Sequence, residues 1–327
     1  MARRNLLSRH ELERLFLLRT DHFSIVRNCT LPTEDLDAIG KRRGGVNRLG
    51  VAVHLVLPRR SGLGLRTNSD IPIPQAILSY LAAQLCVSPD IFEHYGQRPQ
   101  TQTDHSAAAA NILGLHPFTR TDVAYAIDLA CRTAMLSDRG ETIALSLMDS
   151  LRADRFILPP PDTLERSGLA GRARARKLAA AEIVAELDDA TLASLDALLV
   201  GDPALDITPL AWLRDMPGSP SAKNMNALLT RLKHLRQLGI DPGISLATTG
   251  FRFSQFMREG GVAPPFLLAD YFRNRRRATL AAAVVALEVK LADAAILMFE
   301  RLIGGLFARA KRGRNDGISK PHHPSAN

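Results

Sequence analysis

Apolar residues recur every three or four positions through most of this chain, and that period admits amphipathic helices and little else. Met225, Leu228, Leu229, Leu232, Leu235 and Leu238 fall on one helix face. Ser219 followed by Pro220 supplies a cap and a first-turn residue, and Gly239 a C-terminal stop. From Leu291 onward Ala292, Ala295, Ile296, Phe299, Leu302, Ile303, Leu306 and Phe307 repeat the pattern, with Asp293, Glu300 and Arg301 on the other side. Thr119 and Asp122 form a capping pair ahead of the face Val123, Ala126, Ile127, Ala130, Cys131 and Ala134. A shorter helix is expected over 139–151, after a turn at 137–140. Residues 51–57 alternate well enough for a strand and are too few for period to decide; we take them as helix. The expected fold class is all-α, with several small helical units followed by a helical bundle.

A chain of 327 residues exceeds what one hydrophobic core usually organises, and 46% apolar residues is enough for more than one. Joints are read from composition. Residues 58–74 are punctuated by Pro, Gly and Ser, and Pro159-Pro160-Pro161 cannot sit inside a helix. From Gly313 the chain turns rich in Pro, His, Ser and Asn. The expected division is a first helical module over 1–70, a second over 71–162, a third helical bundle over 163–312 and a disordered tail over 313–327.

Charge carries the functional argument. Lys41, Arg42, Arg43, Arg48, Arg59, Arg60 and Arg66 occupy one stretch without a single Asp or Glu, in a chain whose formal net charge is +9. A positive field concentrated around Gly44-Gly45 suits a phosphate-tracking surface, because each phosphate neutralised releases counterions. Arg172, Arg174, Arg176 and Lys177 form a second basic patch, and Arg273, Arg275, Arg276 and Arg277 a third. Each patch alone also fits a solvated helix face.

Other classes find little support. The most apolar stretch, 279–298, is interrupted by Glu288, Lys290 and Asp293, so no membrane partner is expected. The apolar run behind Met1 stops at Leu7, too short for a secretory signal. Cys29, Cys86 and Cys131 have no metal-ligand spacing and suit a reducing compartment as buried small residues, so the cytoplasm is the expected location. His10-Glu11 begins like a metalloprotease helix, but the ligand position holds Arg14. Gly62-x-Gly64 lacks the rest of a dinucleotide fingerprint, and no Ser sits in a nucleophile elbow. His322-His323 has no third ligand on a rigid element. Glu11, Asp35, Asp122, Glu141 and Glu165 read as caps and helix-surface partners. No catalytic residue, metal site or cofactor is expected.

Several motifs carry a family likeness. Leu6-Leu7-Ser8-x-x-Glu11, Thr30-Leu31 with Glu34-Asp35-Leu36, Arg42-Arg43-Gly44-x-x-Asn47-Arg48-Leu49-Gly50, Gln84-Leu85-x-Val87, Tyr95-x-x-Arg98, His105, Leu113-Gly114, Pro117-Phe118 and Leu164-Glu165-Arg166 occur in order. Pro209-Leu210-Ala211-Trp212-Leu213, Arg275-Arg276-Arg277-Ala278-Thr279-Leu280 and Leu302-Ile303-Gly304-x-Leu306-Phe307 continue the series. Together they resemble the N-terminal region of transposases from class II replicative transposons, the Tn-three family, over about residues 1 to 310. The resemblance implies helix-turn-helix-like modules, with 1–70 and 71–162 as DNA-binding modules, that recognise terminal inverted repeats in double-stranded DNA. It also implies an RNase H-like catalytic domain farther on, which these residues do not include, so a non-catalytic fragment is expected. Full-length transposase is then a possible partner.

If 33–57 forms a helix, a Gly44-Gly45 turn and a second helix, Asn47 and Arg48 stand at the second helix's N-terminal end, where base edges are read. Lys41, Arg42, Arg43, Arg59, Arg60 and Arg66 are then expected on phosphates, with Arg172, Arg176, Lys177, Arg275 and Arg276 as further DNA contacts. Trp212 reads as core. The alternative function is a helical protein-interaction module whose basic faces meet an acidic partner.

Overall fold

The computed structural model describes residues 5–318 apart from 17, 19, 66–72 and 202–206. The fold is all-α. Its contacts divide the chain into two compact units, Met1–Ala175 and Arg176–Asn327.

The first unit runs α1 (Arg9–Phe16), α2 (His22–Cys29), α3 (Thr33–Gly40), α4 (Gly45–Ser61), α5 (Gln75–Gln84), α6 (Pro99–Leu113), α7 (Val123–Ala134), α8 (Gly140–Ala153) and the start of α9 (Pro161–Ala185). Two-residue strands β1 (His116–Pro117) and β2 (Phe156–Ile157) pair in parallel. Two hydrophobic clusters fill the unit. One gathers α2 to α6 around Leu49, Leu55, Ile77 and Leu81. The other joins Leu6, Leu7 and Phe16 to α7, α8 and Leu164. The first cluster takes residues from both sides of 58–74, so no joint near residue 70 separates two cores. Composition placed the next joint near 162, whereas the chain passes between units inside α9, because a Pro at the first helical position starts a helix rather than breaking one.

Residues 51–57 are helical. They lie in α4, where every residue from Leu49 to Pro58 is buried, and a helix hydrophobic all round belongs in a core. Pro58 does not end it; the helix runs on to Ser61, and Gly62, at φ 78°, closes it. The Thr119–Asp122 capping box forms as expected and leads into α7.

The second unit holds α10 (Asp189–Ala197), α11 (Pro209–Arg214), α12 (Ala222–Gln237), α13 (Gly250–Val262), α14 (Pro265–Ala269) and α15 (Arg273–Ile318). Helices α12 and α13 pack along α15. The cap of α12 is Ser221, whose hydroxyl accepts from the Asn224 amide at 3.1 Å; Ser219 instead receives the Asn224 side-chain amide on its carbonyl. Gly239, at φ 71°, stands just past the end of α12. Helix α15 continues past Arg312, the expected start of a disordered tail, to Ile318; 319–327 and His322-His323 lie outside the described residues. Trp212 is half-buried, with the Arg231 guanidinium over its ring. Cys29 and Cys131 are buried, but Cys86 is exposed.

Candidate nucleic-acid interface

The basic motif around Gly44 folds as two helices joined by a tight turn. Glu34 and Asp35 start α3 at its positive end, and Lys41 follows its last residue. Gly44 takes φ 80°, which lets the chain reverse, and α4 starts at once with Gly45. A side chain at Gly45 would press on Val87 and Ile91, so that residue is a close approach to the segment after α5. At Gly50 a Cβ would collide with the Tyr95 ring.

Lys41, Arg43 and Arg48 are exposed on this turn. Arg48 is oriented by its Nε, which donates to the Arg42 carbonyl at 3.0 Å and leaves the outer guanidinium nitrogens for a partner. Asn47 is half-buried and donates its side-chain amide to the Arg43 carbonyl at 3.0 Å, so it fastens the turn to α4. Arg42 is half-buried and its Nε, sealed from solvent, has no hydrogen-bond partner.

Beneath the turn lies a neutral polar cluster. The Tyr95 hydroxyl and His105 Nδ1 are 2.9 Å apart, their rings stack at 5.7 Å, and His54 stands edge-on to both. Desolvation, with the His105 charge added, pushes the His54 pKa down to about 4. Burial and the nearby Arg42 also hold His105 below its ordinary value, against an opposing pull from Asp104. Burial raises the Tyr95 hydroxyl. Sequence reading noted His105 and Tyr95 only as motif residues, since residues 54, 95 and 105 meet only through folding.

The other basic residues have different jobs. Arg59 forms a two-pronged ion pair with Asp35, whose side chain is 1% exposed. Its charge is therefore neutralised inside the protein, and Asp35, which reads in the sequence as a cap, is its buried partner. Arg60 donates to the Cys29 sulfur at 3.3 Å. Arg59 and Arg60 were both expected on phosphates; Arg59 spends its charge on Asp35 while staying partly exposed, and the Arg60 guanidinium turns inward to Cys29. Arg66 lies outside the described residues.

The third patch is likewise taken up internally. Arg275 pairs with Glu259 and stacks on Tyr271 at 3.8 Å. Arg276 and Arg277 both hold Asp196, at 3.1 Å and 2.7 Å. Burial raises that carboxyl's pKa, but the hydrogen bond from Arg277 and the charges of both arginines outweigh it, and the net shift is downward. Arg275 and Arg276, expected as DNA contacts, each hold a carboxylate of the fold. Of the second patch, Arg174 pairs with Asp128 at 2.5 Å and Arg172 is half-buried, while Arg176 and Lys177 are exposed on α9.

These features define an all-α protein with a basic helix-turn-helix corner whose exposed cations are Lys41, Arg43 and Arg48. Residues 6–170 match the family model described as Domain of unknown function (DUF4158), and the chain belongs to that family. It is 34% identical to the transposase for transposon Tn3926 of Escherichia coli over 95% of its length, and 32% identical to the transposase for transposon Tn501 of Pseudomonas aeruginosa over 98%. A 26% identity to the transposase for transposon gamma-delta of Escherichia coli (strain K12) covers 88% of the chain. The Tn-three likeness read from the ordered motifs thus holds along nearly the whole sequence. The chain spans about a third of the length of these relatives, at 31%, 32% and 29% of each. Among the described residues no helix is long and apolar enough to cross a membrane.

Proposed function

We propose that the chain serves transposition by binding the terminal inverted repeats of a transposon as duplex DNA, with the turn between α3 and α4 as its principal contact. The likeness to transposases supports the role in transposition. One observation carries the DNA reading: three cations, Lys41, Arg43 and Arg48, project from a turn held rigid by Gly44 and Asn47, and none has a carboxylate pair among the described ion pairs.

Burial decides how this corner meets DNA. A recognition helix laid along the major groove needs one exposed face, and α4 has none between Leu49 and Pro58. Contact is therefore end-on, through the turn and first turn of α4. Arg48 is the residue for base readout, since an arginine fork matches the two acceptors of guanine, while Lys41 and Arg43 meet phosphates. Asn47 fixes the approach of Arg48, its own amide being spent on Arg43. Arg176 and Lys177 are a further phosphate contact. Strand cutting and joining are not assigned to these residues, and full-length transposase is a partner through shared occupancy of the ends.

The test is a titration of terminal-repeat duplex against a scrambled duplex of equal length at two salt concentrations. Tighter binding to the repeat, by a factor of about 10³ or more, is expected, with both affinities falling steeply as salt rises. Equal affinity for both duplexes removes the sequence-specific reading, and a flat salt response removes the phosphate reading.

A further inference from the structure

Helix α15 leaves the core of its unit with an apolar face still on it. Leu287, Leu291 and Met298 are buried against the rest of the unit, and among the described residues none after Met298 is buried. Of the residues that the sequence groups on one helix face, Ile296 is 58%, Phe299 59%, Leu306 54% and Phe307 74% exposed, while Ile303 is half-buried.

The spacing of this exposed face is regular. Val289, Ala292, Ile296, Phe299, Ile303, Leu306 and Ala310 alternate steps of three and four residues, which is the seam of a coiled coil. The first residue of each seven is Val289, Ile296 or Ile303, all β-branched, and the fourth is Ala292, Phe299 or Leu306. The seam lies roughly a third of a turn around the helix from the core-facing residues, so α15 carries two apolar faces. Such a pattern fits another helix of the same spacing, and a second copy of α15 has that spacing by construction.

The helix also needs a partner. Gly304 and Gly305 sit within the exposed stretch with open space around both, and two consecutive glycines make a poor isolated helix in water. The seam is roughly 30 Å long, a length that allows an interface of the size specific contacts use.

Charge selects the orientation. In a parallel pair Glu288 faces Asp293 of the second copy and Arg309 faces Arg314, two like-charged contacts. An antiparallel pair sets Val289 against Leu306, Ala292 against Ile303 and Ile296 against Phe299, and brings Arg309 beside Glu288, which also holds Arg236 of its own chain at 2.9 Å. It leaves Asp293 near Glu300, both exposed, as its one like-charged contact.

We propose that this face of α15 joins two copies of the chain as an antiparallel helix pair. The claim concerns only the second unit and stands whether or not the basic turn binds DNA.

Sedimentation equilibrium on the whole chain tests it. Wild type is expected to move from monomer to dimer with rising concentration, and Ile296→Glu and Phe299→Glu are each expected to raise the dissociation constant at least tenfold. Both side chains are exposed in the single chain, so the melting temperature of the monomer stays the same. If either change unfolds the chain, Leu306→Lys decides in its place. A chain monomeric at every concentration, or a dimer indifferent to these substitutions, overturns the proposal. In a Cys86→Ser background, oxidation of a mixture of Ile296→Cys and Phe299→Cys chains is expected to give the mixed disulfide dimer. Efficient cross-linking of Ile296→Cys to itself overturns the antiparallel arrangement.

Discussion

Two arginine clusters look alike in the sequence and end differently in the fold. Residues 41–48 and 273–277 each concentrate cations beside a helix start. In the second, Glu259 and Asp196 reach back from α13 and α10 and take up Arg275, Arg276 and Arg277. In the first, the groups beneath are His54, Tyr95 and His105, none of them negative, and Lys41, Arg43 and Arg48 stay exposed. A basic run thus stays exposed or becomes a structural clamp according to carboxylates 16 to 81 residues away. The same division splits the first stretch internally, since Asp35 claims Arg59 while no carboxylate among the described residues claims Arg43.

The largest way to break the comparison is to remove a clamp's carboxylate. Asp196→Ala strands Arg277, which is 8% exposed, beside Arg276, and a cost of about 3 to 5 kcal/mol in unfolding free energy is expected, because an unpaired buried charge has lost its only compensation. Chemical denaturation checks it, and a loss under about 1 kcal/mol contradicts the clamp. Next comes pH. With the folded-state pKa of His54 near 4 and an unfolded value near 6.5, the unfolded chain binds the extra proton between these values. Stability is complete above pH 6.5 and falls as pH drops toward 4, by on the order of 3 kcal/mol. His105, lowered in the same direction, adds to the slope. His54→Gln, tested by denaturation across that range, is expected to flatten it.

Two smaller effects sharpen the contrast without touching stability. Arg48→Ala is expected to lose about 1 to 3 kcal/mol on the terminal repeat and little on scrambled duplex, read by competition binding, since a base contact exists only where the base is right. Lys41→Ala and Arg43→Ala are expected to weaken both duplexes alike, each lowering the slope of log affinity against log salt by about 0.9.

Helical class, the capping box at Thr119 and the turn at Gly44 were legible because each depends on residues within a few positions of one another. The burial of α4 was not, since its run from Val51 to Leu57 is too short to separate a strand from a core helix by period. Element ends misread at Pro58 and Ser219 share a cause: a proline near a helix end and a second serine two residues later leave alternatives that only packing resolves. The isolated basic run of Lys41, Arg43 and Arg48 is legible in the sequence, whereas the partners that hold Arg59, Arg60, Arg275 and Arg276 are brought by folding from distant positions. The exposed seam of α15 reads in sequence like any amphipathic helix, because periodicity marks a face without saying what covers it.

The claim that the α3–α4 turn is the DNA-binding end rests most directly on one salt titration. Duplex affinity is measured against salt for wild type, for the triple variant Lys41→Ala, Arg43→Ala, Arg48→Ala, and for the double variant Arg59→Ala, Arg60→Ala, each checked for folding. The triple variant is expected to lower the slope of log affinity against log salt by about 1.8, at about 0.9 for each of the two lost phosphate contacts, while the double variant leaves the slope unchanged. A triple variant with the wild-type slope, or a double variant that loses as much, contradicts the assignment.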